Sequence, residues 1–125
     1  MIPYQVIVPE EVVYQTVDPL RLQQIMINLL NNSYQSLDGE GSIMVILTEN
    51  SIDIKDTGAG VPEAEQPYVF ERFFRGENKK LKVRGLGLGL PFSKMLAKAL
   101  HGDLILKESN SKGSTFSIIW NKEKG

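Results

Sequence analysis

A chain of 125 residues with 42% hydrophobic and 23% charged side chains has the size and make-up of one globular domain with one core. Its net charge of −1 leaves no electrostatic footprint for nucleic acid or an anionic membrane, and the absence of cysteine removes disulfides, zinc–thiolate sites and thiol catalysis. No apolar run reaches the ~18–20 residues needed to span a bilayer, and the start at Met1 has no basic region feeding an apolar stretch. The expectation is a cytoplasmic protein, or a cytoplasmic piece of a larger one, without direct membrane insertion.

In chain order, residues 4–17 alternate and are β-branched, with Pro9-Glu10-Glu11 between the halves, which predicts a hairpin or two short strands. Asp18-Pro19 supplies a cap oxygen followed by proline at the first helical position. Leu22, Ile25, Met26, Leu29, Leu30 and Ser33 then recur at helical spacing to about Leu37, and Asp38-Gly39-Glu40-Gly41 ends the helix. Residues 42–48 and 51–55 read as two strands across a tight Glu49-Asn50 connection. A glycine loop, 56–62, leads into an irregular stretch carrying Phe70, Phe73 and Phe74, and residues 76–84 form a basic segment without apolar period. A second glycine loop, 85–89, runs into a helix opened by Pro91, with Phe92, Met95, Leu96, Ala99 and Leu100 on one face and Gly102 as its stop. Strands over 104–108 and 115–120 close the chain. Strand pairs with helices between them predict an α+β two-layer sandwich, one mostly antiparallel sheet packed against helices.

Three clusters can carry chemistry. Asn28 and Asn32, at i and i+4, share one face of the first helix beside its apolar stripe, where two amides can offer oxygens to a cation or phosphate. A plain solvated helix flank has the same appearance. Asp56 ends a strand pattern before Gly58 and Gly60, and a carboxylate there can accept from an exocyclic amine while the glycines let backbone approach a ligand. An ordinary Asp-Thr-Gly turn is the alternative. Backbone N–H groups of Gly85-Leu86-Gly87-Leu88-Gly89, entering a helix, make an anion site. No Gly-Lys-Ser/Thr follows, and Leu90 stands where the dinucleotide pattern needs glycine.

Taken together, these segments resemble the boxes of histidine kinases in order and spacing. Residues 28–33 (Asn-Leu-Leu-Asn-Asn-Ser) resemble the N box, 56–62 the first glycine box, 70–75 (Phe-Glu-Arg-Phe-Phe-Arg) the F box and 85–90 the second glycine box; His101-Gly102 and Gly113-Ser114-Thr115-Phe116 are similar to the family's tail. The resemblance covers nearly the whole chain. It implies a Bergerat-type ATP site, shared with type II topoisomerases, a heat-shock chaperone and mismatch-repair ATPases. In that reading Asn32 holds Mg²⁺ and Asn28 assists beside the phosphates. Asp56 reads the adenine amino group, Gly58 and Gly60 shape the base pocket, and Arg75 and Arg84 flank a lid over residues 76–84 and approach the terminal phosphates. Gly85, Gly87 and Gly89 wrap the phosphate chain, and the nucleotide-binding set extends to Gln35, Val61, Phe70, Leu86, Leu88 and Thr115. Many members carry a basic residue at position 35, an aromatic at 36, a small or polar residue at 86 and a second glycine at 103. This chain has Gln35, Ser36, Leu86 and Asp103, the first pair being similar to the subgroup of nitrogen-regulatory kinases.

Relatives that hydrolyse ATP place glutamate at position 28. Asparagine has no basic lone pair at neutral pH, so Asn28 favours phosphoryl transfer over hydrolysis. The resemblance therefore implies a sensor histidine kinase catalytic domain, residues 1–125, that passes the γ-phosphate of Mg-ATP to a histidine on a separate dimerisation domain. That domain would in turn serve a response regulator. The single histidine, His101, sits at a predicted helix end and reads as structural, so the phosphoacceptor helices are absent and an isolated monomer is expected. A hydrolytic ATPase of the superfamily and a nucleotide-binding interaction module without catalysis are the alternatives.

Overall fold

The computed structural model describes residues 2–11, 15, 17–71 and 89–120. In order they form β1 (Tyr4–Ile7), α1 (Pro19–Leu37), β2 (Ile43–Leu47), β3 (Ser51–Asp56), a 3₁₀ helix (Glu63–Tyr68), α2 (Gly89–Ala99), β4 (Gly102–Asn110) and β5 (Gly113–Trp120). One five-stranded sheet has the order β1-β2-β3-β5-β4. β1 joins β2 in parallel and the other three pairings are antiparallel, so the sheet is mixed. The second half of the strand pattern expected over 4–17 falls mostly outside the described residues.

α1 begins where its cap chemistry dictates. The Asp18 carboxylate accepts from the Leu20 and Arg21 N–H groups at 2.9 and 3.4 Å, satisfying donors that the first turn leaves without a partner. The helix ends at Asp38, φ 51°, whose N–H bonds the Gln35 carbonyl, followed by Gly39 at φ 93°. α2 starts at Gly89, two residues before Pro91. Its left-handed terminal residue is His101, φ 68°, whereas the sequence had suggested Gly102. Gly102 instead opens β4, where a Cβ would run into the Ile119 carbonyl and lie 3.2 Å from the Trp120 ring. Close strand approach, and not helix termination, is what glycine serves there.

The sheet face under the helices is built in cross-strand rows. Ile52, Ile118 and Leu104 form one, and Ile54, Phe116 and Leu106 the next. Ile25, Leu29 and Leu37 of α1, Leu96 and Ala97 of α2, and Leu100 just after it complete the core against them. Burying each such aliphatic side chain contributes about 1.5–3 kcal/mol. On the reverse face Asp53, 4% exposed, accepts from Ser117 Oγ at 2.6 Å and from Lys107 Nζ at 2.9 Å, which offsets the cost of burying its charge.

One core group is out of place. The Ser33 hydroxyl is fully buried in α1 and has no hydrogen-bond partner among the described residues. A hydroxyl held dry without a partner costs about 1–3 kcal/mol. Ser33→Ala should therefore stabilise the protein by about 1 kcal/mol, seen as a rise in urea midpoint at unchanged slope. A fall in midpoint would mean that the hydroxyl has a partner.

Candidate functional site

Along the helix-side face, the row beyond Ile54–Phe116 is polar. Asp56 pairs with Ser114, and Ser114 pairs with Ser109. Asp56 is 1% exposed, and its two oxygens are treated unequally. Oδ1 accepts from Gly58 N–H at 2.9 Å, Ser36 Oγ at 3.2 Å and Ser114 N–H at 3.4 Å. Oδ2 is buried and has no partner among the described residues. A buried carboxylate oxygen in that condition is an acceptor open to a further donor.

The glycines around it are needed for packing. A Cβ at Gly58 would collide with Ser36 Oγ, and one at Gly60, φ 82°, with the Asn110 carbonyl oxygen. The loop after β3 therefore lies directly against α1 on one side and the β4–β5 turn on the other. Hydrogen bonds hold it there. Val61 N–H donates to Ser109 Oγ at 2.8 Å, Ser109 and Ser114 share a hydroxyl–hydroxyl bond of 2.8 Å, and Gln66 Nε2 donates to the Val61 carbonyl at 3.0 Å. The 3₁₀ helix exists in part to bring Gln66 to this position.

α1 continues the site away from the sheet end. Ser36 touches Asp56; one turn back is half-buried Asn32, and two turns back Asn28. Gln35, exposed, lies on the same flank at i+7 from Asn28. Asn28 Nδ2 donates to Ser93 Oγ of α2 at 3.1 Å. The eight residues from Asn28 to Ser36 rise ~12 Å, which separates the amide flank from the Asp56 corner by the reach of an extended nucleotide.

Beneath the row, Phe70 meets Phe116 edge-to-face, centroids 6.0 Å apart at 84°, and Lys94 Nζ stands 4.7 Å from the Phe70 centroid. Lys94 also reaches the Leu104 carbonyl at 2.9 Å and Asp103 Oδ1 at 3.1 Å. Burial works to raise the pKa of Asp103. The Leu104 N–H and the Lys94 ammonium outweigh it and hold the carboxyl below its ordinary value. Position 103, where a second glycine is common, thus gives this chain an ion pair that anchors the residue at the root of the F-box stretch.

The structure brings Asp56, Gly58, Gly60 and Val61 into one corner and strings Asn28, Asn32 and Gln35 along one helix flank. Phe70 packs into the core beside that corner. Gly89 opens α2, and a Cβ there would meet nothing within 4 Å. Thr115 pairs with Lys55, on the opposite sheet face from Asp56, because strand residues alternate sides. Ser114 is the residue of that segment that stands beside Asp56. The parity of Ser114, Phe116 and Ile118 was the available signal. Ser36, Ser93, Ser109 and Gln66 were also missed; single serines and glutamines carry no motif that sequence alone could weigh. Arg75, Arg84, Gly85, Leu86, Gly87 and Leu88, with the lid expected over residues 76–84, lie outside the described residues. Among the described residues no group of His, Cys, Asp or Glu could hold a metal unaided, and no helix is long and apolar enough to cross a membrane.

A family profile described as histidine kinase-, DNA gyrase B-, and HSP90-like ATPase matches residues 17–124. The chain is 32% identical over 106 residues to the circadian input-output histidine kinase CikA of Synechococcus elongatus, spanning 81% of this chain and 14% of that protein. It is 32% identical over 119 residues to sensor histidine kinase RcsC of Escherichia coli, spanning 92% of this chain and 12% of that one. Its fold is similar to that of a mycobacterial sensor histidine kinase, MprB, with a TM-score of 0.75 at 26% identity over 95% of this chain and 82% of that chain. The catalytic domain of histidine kinase ThkA shares the fold, with a TM-score of 0.75 at 22% identity.

Proposed function

Since the chain belongs to the histidine kinase-, DNA gyrase B- and HSP90-like ATPase family, we propose that it is the part of a longer sensor kinase that binds Mg-ATP and delivers its γ-phosphate to a histidine on a separate phosphoacceptor domain. The observation that carries this reading is the Asp56 carboxylate, whose Oδ1 is saturated by three donors while buried Oδ2 has none. The exocyclic amine of adenine is a donor that fits it. Gly58 and Gly60 let the loop that carries this corner pack directly against α1 and the β4–β5 turn.

Asn32 would hold Mg²⁺ through its amide oxygen, with Asn28 beside the phosphates. With no carboxylate cluster nearby among the described residues, the ion would take its other ligands from phosphate and water, as magnesium commonly does. Bound there, Mg²⁺ supplies charge neutralisation on the phosphate oxygens. Arg75 and Arg84 would add positive charge at the terminal phosphates and Gly85, Leu86, Gly87 and Leu88 their backbone N–H groups, on the strength of the family resemblance. In the transfer, a nitrogen of the acceptor imidazole attacks the γ-phosphorus. The bond to the bridging oxygen breaks, ADP leaves with that electron pair, and the imidazole gives up its N–H proton.

Hydrolysis would need a base where Asn28 stands, and an amide cannot serve as one. His101 is unsuited as acceptor: it lies twelve residues beyond Gly89, roughly 18 Å along a helix axis, and reacting atoms must come within ~3–3.5 Å. Its left-handed backbone gives it a structural role at the α2–β4 junction. The phosphorylated partner would hand its phosphate to a response regulator, on the cytoplasmic side where ATP is available.

Incubation with γ-labelled ATP should leave this chain unlabelled, and adding the phosphoacceptor domain of its parent kinase should place acid-labile label on that domain. Label kept on this chain and lost in His101→Ala would overturn the assignment, as would rapid release of free phosphate without an acceptor.

A further inference from the structure

Ser93 belongs to none of the boxes, yet it is 0% exposed and provides the one side-chain hydrogen bond between α1 and α2 among the described residues. Its partner, Asn28, is half-buried and has a side chain with two unlike ends, an NH₂ that only donates and an oxygen that only accepts. A half-turn about the single Cβ–Cγ bond separates the sense that offers oxygen to a cation from the sense that offers NH₂. The latter would repel it. With Nδ2 held on Ser93 Oγ at 3.1 Å, Oδ1 is turned away from the helix–helix contact.

We propose that Ser93 is a positioning residue for phosphoryl transfer, its buried hydroxyl anchoring the Asn28 amide at the α1–α2 contact beside the metal–phosphate end of the nucleotide. The proposal rests on the nucleotide reading above and assigns to it a residue outside the boxes. Ser93 lies four residues into α2 from Gly89. The same bond therefore ties the amide flank of α1 to the first turns of α2. A side chain without a hydroxyl at position 93 would leave the Asn28 amide without this anchor.

The test is a double-mutant cycle on the whole chain, with Mg-ATP and with ATP in excess EDTA titrated into each protein. Ser93→Ala should weaken Mg-ATP binding about three- to tenfold, the span of one hydrogen bond, while changing metal-free ATP binding less than about twofold. Ser93→Thr, which keeps Oγ, should recover most of the loss. On an Asn28→Ala background Ser93→Ala should have no further effect. An effect that persists in full on that background, or that is equal with and without Mg²⁺, would show a structural serine and overturn the proposal while the nucleotide reading stands. Failure of the unmodified chain to bind ATP at all would overturn both.

Discussion

Gly113→Ala is expected to cost about 3 kcal/mol of folding stability. Gly113 opens β5 at φ 140°, a backbone region that essentially only glycine occupies. A Cβ there would overlap the Asp56 carbonyl oxygen and sit 3.0 Å from Thr57 Cα. Both obstacles are backbone, so no side-chain rotation relieves them. To make room, β5 would have to move off β3 at the pair where Asp56 meets Ser114, which would also displace the acceptor corner. Urea unfolding of the variant should show the loss in midpoint, accompanied by weakened ATP binding. A midpoint within error of the unmodified chain would mean that the turn has a second conformation with room for a side chain.

Asp56→Asn is expected to weaken ATP binding on the order of a hundredfold, about 3 kcal/mol. The asymmetry of the carboxylate dictates the outcome. Ser36 Oγ, Gly58 N–H and Ser114 N–H all donate to Oδ1, so the asparagine oxygen must take that side. Its NH₂ is then forced into the place of Oδ2, opposite the adenine amine, and two donors face each other across a dry contact. The three donors keep their acceptor, so the variant should fold. Guanine presents an oxygen where adenine has its amine, and the preference for ATP over GTP should collapse. Calorimetric titration of both nucleotides checks this. Unchanged ATP affinity in the folded variant would remove Asp56 from base recognition.

Much of this was legible because its causes are local. Asp18-Pro19 is a complete helix start in two residues, and α1 begins there. The period of Leu22 to Leu37 fixes which flank carries Asn28 and Asn32. Asp56 was singled out because it stands between a strand pattern and two glycines, a placement that an ordinary Asp-Thr-Gly turn shares. What was missed depends on distant partners. The parallel pairing of β1 with β2 cannot be read from Gln5-Val6-Ile7-Val8, since it is decided by Ile43 to Ile46 some forty residues on. The 3₁₀ helix at Glu63–Tyr68 has no apolar period and contains Pro67, so nothing local marks it. Its position depends on Gln66 reaching Val61 and Ser109. His101 holds the left-handed turn because Gly102, the better local candidate, is needed where Trp120 crosses.

The adjacency of β3 and β5 has a further consequence for how the molecule assembles. Asp56 and Ser114 touch across 58 residues of chain, whereas β2 and β3 are joined by a tight connection. Closing a loop of that length is entropically slow to recover, even though each doubling of length adds only ~0.6 kcal/mol, and contacts of such high sequence separation lower folding rates. The acceptor corner is therefore expected to form late, when β3 and β5 pair, after the local hairpins. A nucleotide seated there would grip contacts expected to form after the folding transition state. It acts as a latch on the finished sheet, slowing the escape from the native state and leaving the search that reaches it unchanged.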